Sequence, residues 1–281
     1  MPQPHKFIYF GTPKVASDTL ATLIERGFTP ALVVTSPDRP AGRGLVLTPT
    51  PVKELALEHG IPVLTPEKLD DETIATIRAY GCDYAACVAY GKIFPEALIA
   101  SFPLGVLNVH YSLLPKYRGA TPLEAALLAG ERETGVTIQK MVLALDAGDI
   151  VAQKSIEIAP SETARELRPR LIMLGAELLA DTLPAYLANE ITPVVQDASL
   201  ATFSHKIKKE DGLLALDAPA VKNWNTYRAY ADSVGTYFFS AGGGPASGGE
   251  RKRMKITKAA FINGAFVIER VIPEGKKETT Y

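Results

Sequence analysis

The amino-acid sequence predicts an α/β chain: a doubly wound, mostly parallel sheet followed by a small β-rich module. Three observations carry that expectation. Over the first 110 residues short apolar runs alternate with segments of helical period. Each apolar run ends in a loop rich in Gly, Pro or Ser. Beyond residue 200 the pattern changes to strand-like runs around an Asn-Gly pair. Apolar strands covered on both faces by amphipathic helices are what a parallel sheet requires.

Taken in order, Lys6 to Phe10 is a strand ending at Gly11-Thr12-Pro13, and Leu20, Leu23 and Ile24 recur at helical spacing after it. A second strand, Ala31 to Thr35, ends at Ser36-Pro37 and runs into the loop Pro37-Asp38-Arg39-Pro40-Ala41-Gly42-Arg43-Gly44. Helical spacing returns at Leu55, Ala56 and His59 and again at Ile74, Ile77 and Arg78. Tyr84 to Ala89 is a third strand, ending at Tyr90-Gly91, and Leu104 to His110 a fourth. In such sheets ligands sit beyond the carboxyl ends of the strands, where these loops fall.

A strand pair follows at Val136 to Met141 and Ile150 to Ile158. Ser161-Glu162-Thr163 then opens a long helix to about Asn189, with Leu167, Leu171, Leu174, Leu178 and Leu179 on one side. Pro169 and Pro184 are expected to kink or split it. Pro193 to Ser199 suits a crossing between domains, and Lys206 to Tyr230 is a mixed stretch holding the single tryptophan, Trp224. Ser240 to Gly249 reads as a Gly- and Ser-rich loop. Met254 to Phe261 and Phe266 to Val271 flank Asn263-Gly264, a pair suited to a tight hairpin because both residues tolerate positive φ. The domain expectation is a larger α/β domain at 1–190, a linker at 191–207 and a small β domain at 208–281.

The chain has 281 residues, 47% hydrophobic and 22% charged, an ordinary globular composition. Nothing approaches the ~18 continuous apolar residues of a membrane span. Residues 1–6 lack the apolar core of a secretory signal. Cys82 and Cys87 give no disulfide framework and no four-ligand zinc site. These readings lead to the expectation of a soluble, cytoplasmic protein. Net charge is -1, yet residues 201–281 hold 13 basic and 8 acidic side chains while residues 1–200 hold 17 and 23. A basic tail on an acidic body suits an anionic partner such as nucleic acid, and a merely solvated basic face fits equally well.

Several chemistries are excluded. No Gly-x-Gly-x-x-Gly follows the first strand, Gly91-Lys92 is no phosphate loop, no Gly-x-Ser-x-Gly is present, and the four histidines show no metal-ligand spacing. What remains is Asn108-x-His110, two residues apart on a strand and so on one face. An amide donor beside an imidazole suits an oxyanion and a proton transfer. A strand end whose Asn and His bond nearby backbone explains the same pair more simply. Asp146, in Leu145-Asp146-Ala147-Gly148-Asp149, could accept a proton from His110 and raise its pKa, or could make an Asx turn. The two-arginine loop could hold phosphate or be solvated.

Together these segments resemble the methionyl-tRNA formyltransferases of the folate-dependent formyltransferase family. The resemblance rests on Gly11-Thr12-Pro13, the loop 38–44, Pro51-Val52-Lys53, Val88-Ala89-Tyr90-Gly91, Asn108-x-His110, Ser112-Leu113-Leu114-Pro115, Arg118-Gly119, Thr134-Gly135-Val136-Thr137 and Asp146-x-Gly148-Asp149, all in family order. Lys206-x-Lys208-Lys209-Glu210-Asp211 resembles the start of its carboxyl-terminal domain. The resemblance implies a Rossmann-like formyltransferase domain followed by a small, abridged OB-like β-barrel. It implies transfer of a formyl group from 10-formyltetrahydrofolate to methionine on initiator tRNA, without a metal and by a monomer. The implied catalytic set is Asn108, His110 and Asp146. The implied folate contacts are Ser112, Leu113, Leu114, Pro115, Tyr90 and Gly91, and the implied tRNA contacts are Arg39, Arg43, Lys206, Lys208 and Lys209. An amino-sugar formyltransferase on the same scaffold, or a non-catalytic folate- or RNA-binding module, are the alternatives. The chain departs from the family pattern at Tyr111, at Ala144, across Tyr230 to Gly235, and in the short stretch from Phe239 to Tyr281.

Overall fold

A computed structural model describes residues 5–42, 44–240 and 251–281; Arg43 and the Gly/Ser-rich stretch 241–249 lie outside the described residues. The first strand and helix are β1 (Phe7–Gly11) and α1 (Lys14–Glu25), followed by β2 (Leu32–Val34). The loop expected at 38–44 belongs to a hairpin of β3 (Arg39–Ala41) and β4 (Val46–Thr48). Next come α2 (Pro51–Glu58), β5 (Val63–Leu64), α3 (Asp71–Arg78), β6 (Tyr84–Val88), α4 (Glu96–Ile99), β7 (Val106–His110) and β8 (Arg118–Gly119). Then follow α5 (Pro122–Ala129), β9 (Glu133–Lys140), β10 (Ile150–Glu157), α6 (Ala164–Leu187), β11 (Phe203–Ser204), α7 (Ala220–Tyr230), β12 (Thr236–Phe239), β13 (Arg253–Ile262), β14 (Ala265–Pro273) and β15 (Thr279–Thr280).

The chain forms two compact units. The first comprises residues 1–118, 135–155 and 170–202, and the second residues 119–134, 156–169 and 203–281. This partition differs from a single cut between 190 and 208, because 119–134 and 156–169 group with the carboxyl-terminal strands.

A seven-stranded sheet has the order β10-β9-β7-β6-β1-β2-β5. From β5 to β7 the neighbours are parallel, and β9 joins β7 antiparallel, so the sheet is mixed and mostly parallel. The order reverses between β1 and β6, where the chain goes first to one side of β1 and later to the other. Loops leaving neighbouring carboxyl ends open a crevice at such a point. They are tied together here: the Thr12 hydroxyl lies 3.2 Å from the Tyr90 carbonyl and 3.1 Å from the Ser36 hydroxyl. Gly11 is required because a Cβ there would lie 2.6 Å from the Ala16 Cβ, too close for α1 to start where it does. Every residue of β1 and β6 is buried, as strands covered on both faces must be. Phe10 sits among Tyr90, Phe94 and Phe102 with ring centroids 4.8–6.4 Å away, each buried ring contributing roughly 2–3 kcal/mol.

Local chemistry sets the helix starts. Thr50 caps α2 by accepting from the Lys53 amide at 3.1 Å, and Asp70 caps α3 by accepting from the Thr73 amide at 3.1 Å. α6 runs unbroken past Pro169 and Pro184, so the expected split does not occur. Pro169 stands near its start and Pro184 in its last turn, and the buried stripe Leu167, Leu171, Leu174, Leu179 and Leu183 fixes its course.

In the second unit β12 to β15 form a four-stranded antiparallel sheet, a small β domain. Asn263 and Gly264 take φ of 51° and 81°, the primed turn expected of that pair. The mixed stretch before it contains helix α7, whose Trp224 and Tyr227 pack with Leu214, Phe238, Ile256 and Val271. Among the described residues no helix is long and apolar enough to cross a membrane.

Candidate active site

His110 closes β7, and its antiparallel neighbour on β9 is Thr137; two residues earlier Asn108 pairs with Gln139. Residues directly opposed on neighbouring strands share a face, so Asn108, His110, Thr137 and Gln139 project from the same side. Asp146 arrives from the turn that leaves β9. Its Oδ2 lies 3.7 Å from His110 Nδ1, and its Oδ1 accepts a 2.8 Å hydrogen bond from Gln139 Nε2. The carboxylate that stands 36 residues from His110 in sequence is therefore beside it in space. Among the described residues the Asn108 side-chain amide has no hydrogen-bond partner, and it is half-buried.

The second ring nitrogen of His110, Nε2, lies 2.9 Å from the Tyr117 carbonyl. A carbonyl can only accept, so Nε2 carries the hydrogen and Nδ1 carries the lone pair in the neutral ring. Burial pushes the His110 pKa below its ordinary value, and the Asp146 carboxylate and the Tyr117 carbonyl oppose this without reversing it. The expected rise is thus corrected. Asp146 acts in the anticipated direction, but an imidazole with a side chain only 6% exposed loses more from desolvation than it gains.

The loop after His110 is held from below. Thr137 Oγ1 donates to the Ser112 carbonyl at 2.7 Å and accepts from the Leu114 amide at 3.1 Å. Gln153 Nε2 reaches the Leu114 carbonyl at 3.0 Å. Ser112 itself is buried and bonds the Lys116 carbonyl, and Leu114 is buried, so Leu113 and Pro115 are the partly exposed side chains of this segment. The Tyr90 ring packs into the core against Phe10 and Phe94. Its neighbour Gly91 is exposed, and two residues further on that loop Ile93 is 89% exposed. Val142, Leu143 and Leu145 stand exposed on the turn that carries Asp146.

The Formyl transferase family matches residues 5–183. The methionyl-tRNA formyltransferase of Trichlorobacter lovleyi is 42% identical over 272 residues, covering 96% of this chain and 83% of that one. The enzyme of the same name from Geobacter sulfurreducens is 44% identical over 238 residues, 84% of this chain and 75% of that one. The chain belongs to the methionyl-tRNA formyltransferase family.

Solved structures agree in fold. A Helicobacter canadensis N-formyltransferase, in complex with folinic acid and dTDP-3-aminofucose, superposes with a TM-score of 0.67 at 19% identity, over 92% of this chain and 89% of that one. The Clostridium thermocellum methionyl-tRNA formyltransferase gives 0.62 at 15%, over 96% and 100%.

Two departures from the pattern of this formyltransferase family have local explanations. Gly175 of α6 faces Val109 and Tyr111, where a Cβ would come within 2.9 Å and 3.2 Å of their side chains; the missing Cβ makes room for Tyr111. Ala144 is not among the residues with positive φ, so its Cβ is accommodated without strain. Arg39 is exposed on β3, Lys206, Lys208 and Lys209 are exposed in the second unit, and Arg43 lies outside the described residues.

Sequence reasoning missed Gln139, Gln153 and Gln196. Gln139 lies two residues after Thr137, so strand alternation would have placed it on the His110 face. Gln196 carries no local signal. It falls in the stretch read as a linker, yet is 7% exposed.

Proposed function

We propose that the chain transfers a formyl group from 10-formyltetrahydrofolate to the amino group of methionine on initiator tRNA, using Asn108, His110 and Asp146. The observation that carries this reading is the approach of Asp146 Oδ2 to within 3.7 Å of His110 Nδ1, beside an Asn108 amide that has no hydrogen-bond partner among the described residues. In the reaction the amine nitrogen bonds to the formyl carbon, the bond from that carbon to the folate nitrogen breaks, and one proton moves from the amine to the departing nitrogen. The Asn108 amide is the donor for the oxyanion that forms on the formyl oxygen. His110 Nδ1 takes the proton of the attacking amine, since Nε2 is committed to the Tyr117 carbonyl. Asp146 stabilises the imidazolium so formed.

The formyl donor is read to lie along Ser112 to Pro115 and the loop at Tyr90-Gly91, with Tyr90 contributing backbone rather than its ring. The exposed apolar side chains Ile93, Leu143 and Leu145 support an aromatic ligand nearby. Arg39, Arg43, Lys206, Lys208 and Lys209 are assigned to tRNA phosphates. In domain terms we assign catalysis to 1–190 and tRNA docking to 208–281; of the stretch 191–207 read as a linker, Gln196 belongs with the catalytic part through its bonds to the Asp146 turn. Formyl transfer from labelled donor to initiator and elongator methionyl-tRNA tests the reading. Asn108→Ala is expected to lose about a hundredfold or more in turnover with the fold intact. Near-normal turnover in that variant removes the oxyanion assignment, and no transfer by the unaltered chain to either tRNA removes the function.

A further inference from the structure

Asp146 is an unusual place to rest a carboxylate. Its φ of 45° lies in the left-handed region, which a residue with a Cβ occupies only when its surroundings hold it there. The turn around it has little regular pairing: the Ala147 amide reaches the Ala144 carbonyl at 3.3 Å, a long bond. Gly148 is obligatory, because a Cβ there would overlap the Lys140 carbonyl. What holds the turn is a side chain from far along the chain. Gln196 Nε2 donates to the Asp146 carbonyl at 2.9 Å and to the Gly148 carbonyl at 2.7 Å.

Gln196 is itself fixed. Its Oε1 accepts from Arg118 Nε at 3.1 Å and Nη2 at 2.8 Å, so each end of the amide is matched to groups that can only donate or only accept. Val194 pairs with Ile150 through two 2.8 Å backbone bonds, which bring the Gln196 segment alongside the exit of the turn. The carboxylate has a separate support, Gln139 Nε2 on Oδ1, which leaves Oδ2 for His110. Two glutamines thus grip Asp146 at two points, one on backbone and one on side chain.

We propose that Gln139 and Gln196 are positioning residues that set where the Asp146 carboxylate stands against the His110 ring, with Arg118 orienting Gln196. The proposal rests on the formyl-transfer reading of the site. Among the described residues neither glutamine hydrogen-bonds His110, and both bond Asp146, so both act through Asp146. Gln196→Glu is the informative change. It keeps the volume and the bond from Arg118, but it removes both donors and sets a carboxylate against two carbonyls. Gln139→Met removes the other donor at similar length.

The full-length protein and both variants are assayed for kcat and for KM toward donor and methionyl-tRNA. The His110 ring is titrated by NMR in parallel, its signal assigned by its loss in His110→Asn. Asp146 is the charged group that faces the ring, the other contact being the neutral Tyr117 carbonyl. Each variant is expected to lose about tenfold to a hundredfold in kcat, with both KM values within about threefold. Each is also expected to move the His110 titration, because the carboxylate is displaced from Nδ1. An unmoved His110 titration in a folded variant overturns the proposal, and so does a kcat equal to that of the unaltered chain. If Gln196→Glu does not fold, Gln139→Met carries the same expectation by itself. Should the unaltered chain transfer no formyl group, the function reading fails, while the titration still decides whether the glutamines place the carboxylate.

Discussion

Asp146→Asn removes a charge while keeping the shape of the side chain and an oxygen for Gln139 to donate to. Unit charges 3.7 Å apart attract by about 4 kcal/mol at an effective dielectric of ~20, and by about 1 kcal/mol in bulk water. The His110 and Asp146 side chains are 6% and 15% exposed, so the former figure applies more closely. The attraction matters only when the ring is charged, and burial keeps the resting ring neutral, so the loss falls on the proton-transfer step. At about 1.4 kcal/mol per factor of ten, kcat is expected to fall by about a hundredfold to a thousandfold. KM for either substrate should change by less than about threefold, because neither ground state uses the imidazolium. The assay is transfer of labelled formyl to initiator methionyl-tRNA under saturating donor. The His110 titration should move further down, since the one charge opposing desolvation has gone. A kcat within about threefold of the unaltered chain refutes the reasoning.

Stability should depend on pH through the same residue. The folded pKa of His110 lies below its unfolded value near 6.5, so the unfolded chain binds more protons and stability is lost as pH falls below about 6.5. Thermal melts between pH 7 and 5 are expected to show that loss, with a shallower slope in His110→Asn; equal slopes contradict it. Gly135→Ala would set a Cβ against the Lys154 carbonyl and 2.6 Å from Leu113 Cδ2. About 1–3 kcal/mol of destabilisation follows, read as a fall in Tm of roughly 3–9 °C, and an unchanged Tm shows that the strand relaxes freely. Replacing Lys206, Lys208 and Lys209 together with Ala should flatten the dependence of log affinity for methionyl-tRNA on log salt by about two to three units, with donor KM unchanged. An identical slope would take these lysines off the RNA.

Up to His110 the strands β1, β2, β6 and β7 and the helices α1, α2 and α3 were legible because each carries its own period, whereas β3, β4, β5 and α4 are too short to show one. The Asn263-Gly264 hairpin was legible because only a few dipeptides tolerate two positive φ angles in succession. Helix α5 was overlooked although its signals are local, with Pro122 at its first turn and Gly130 in the left-handed conformation just past its end. Pro169 and Pro184 misled in the other direction: proline disfavours a helix interior, but a buried leucine stripe outweighs that local cost.

The sequence by itself determined the alternation of strand and helix, the Asn108 and His110 pair on one strand face, and the family to which the chain belongs. Only the tertiary structure decided that Asp146 meets His110, that burial outweighs that carboxylate in setting the ring's charge, and that Gln196 holds the turn. The reason is one of range. A side chain's strand face follows from the two-residue repeat of its own segment. Hydrogen bonds spanning 50 residues from Gln196 to Asp146 and 78 to Arg118 leave no periodic trace and exist only once the sheet has brought the segments together.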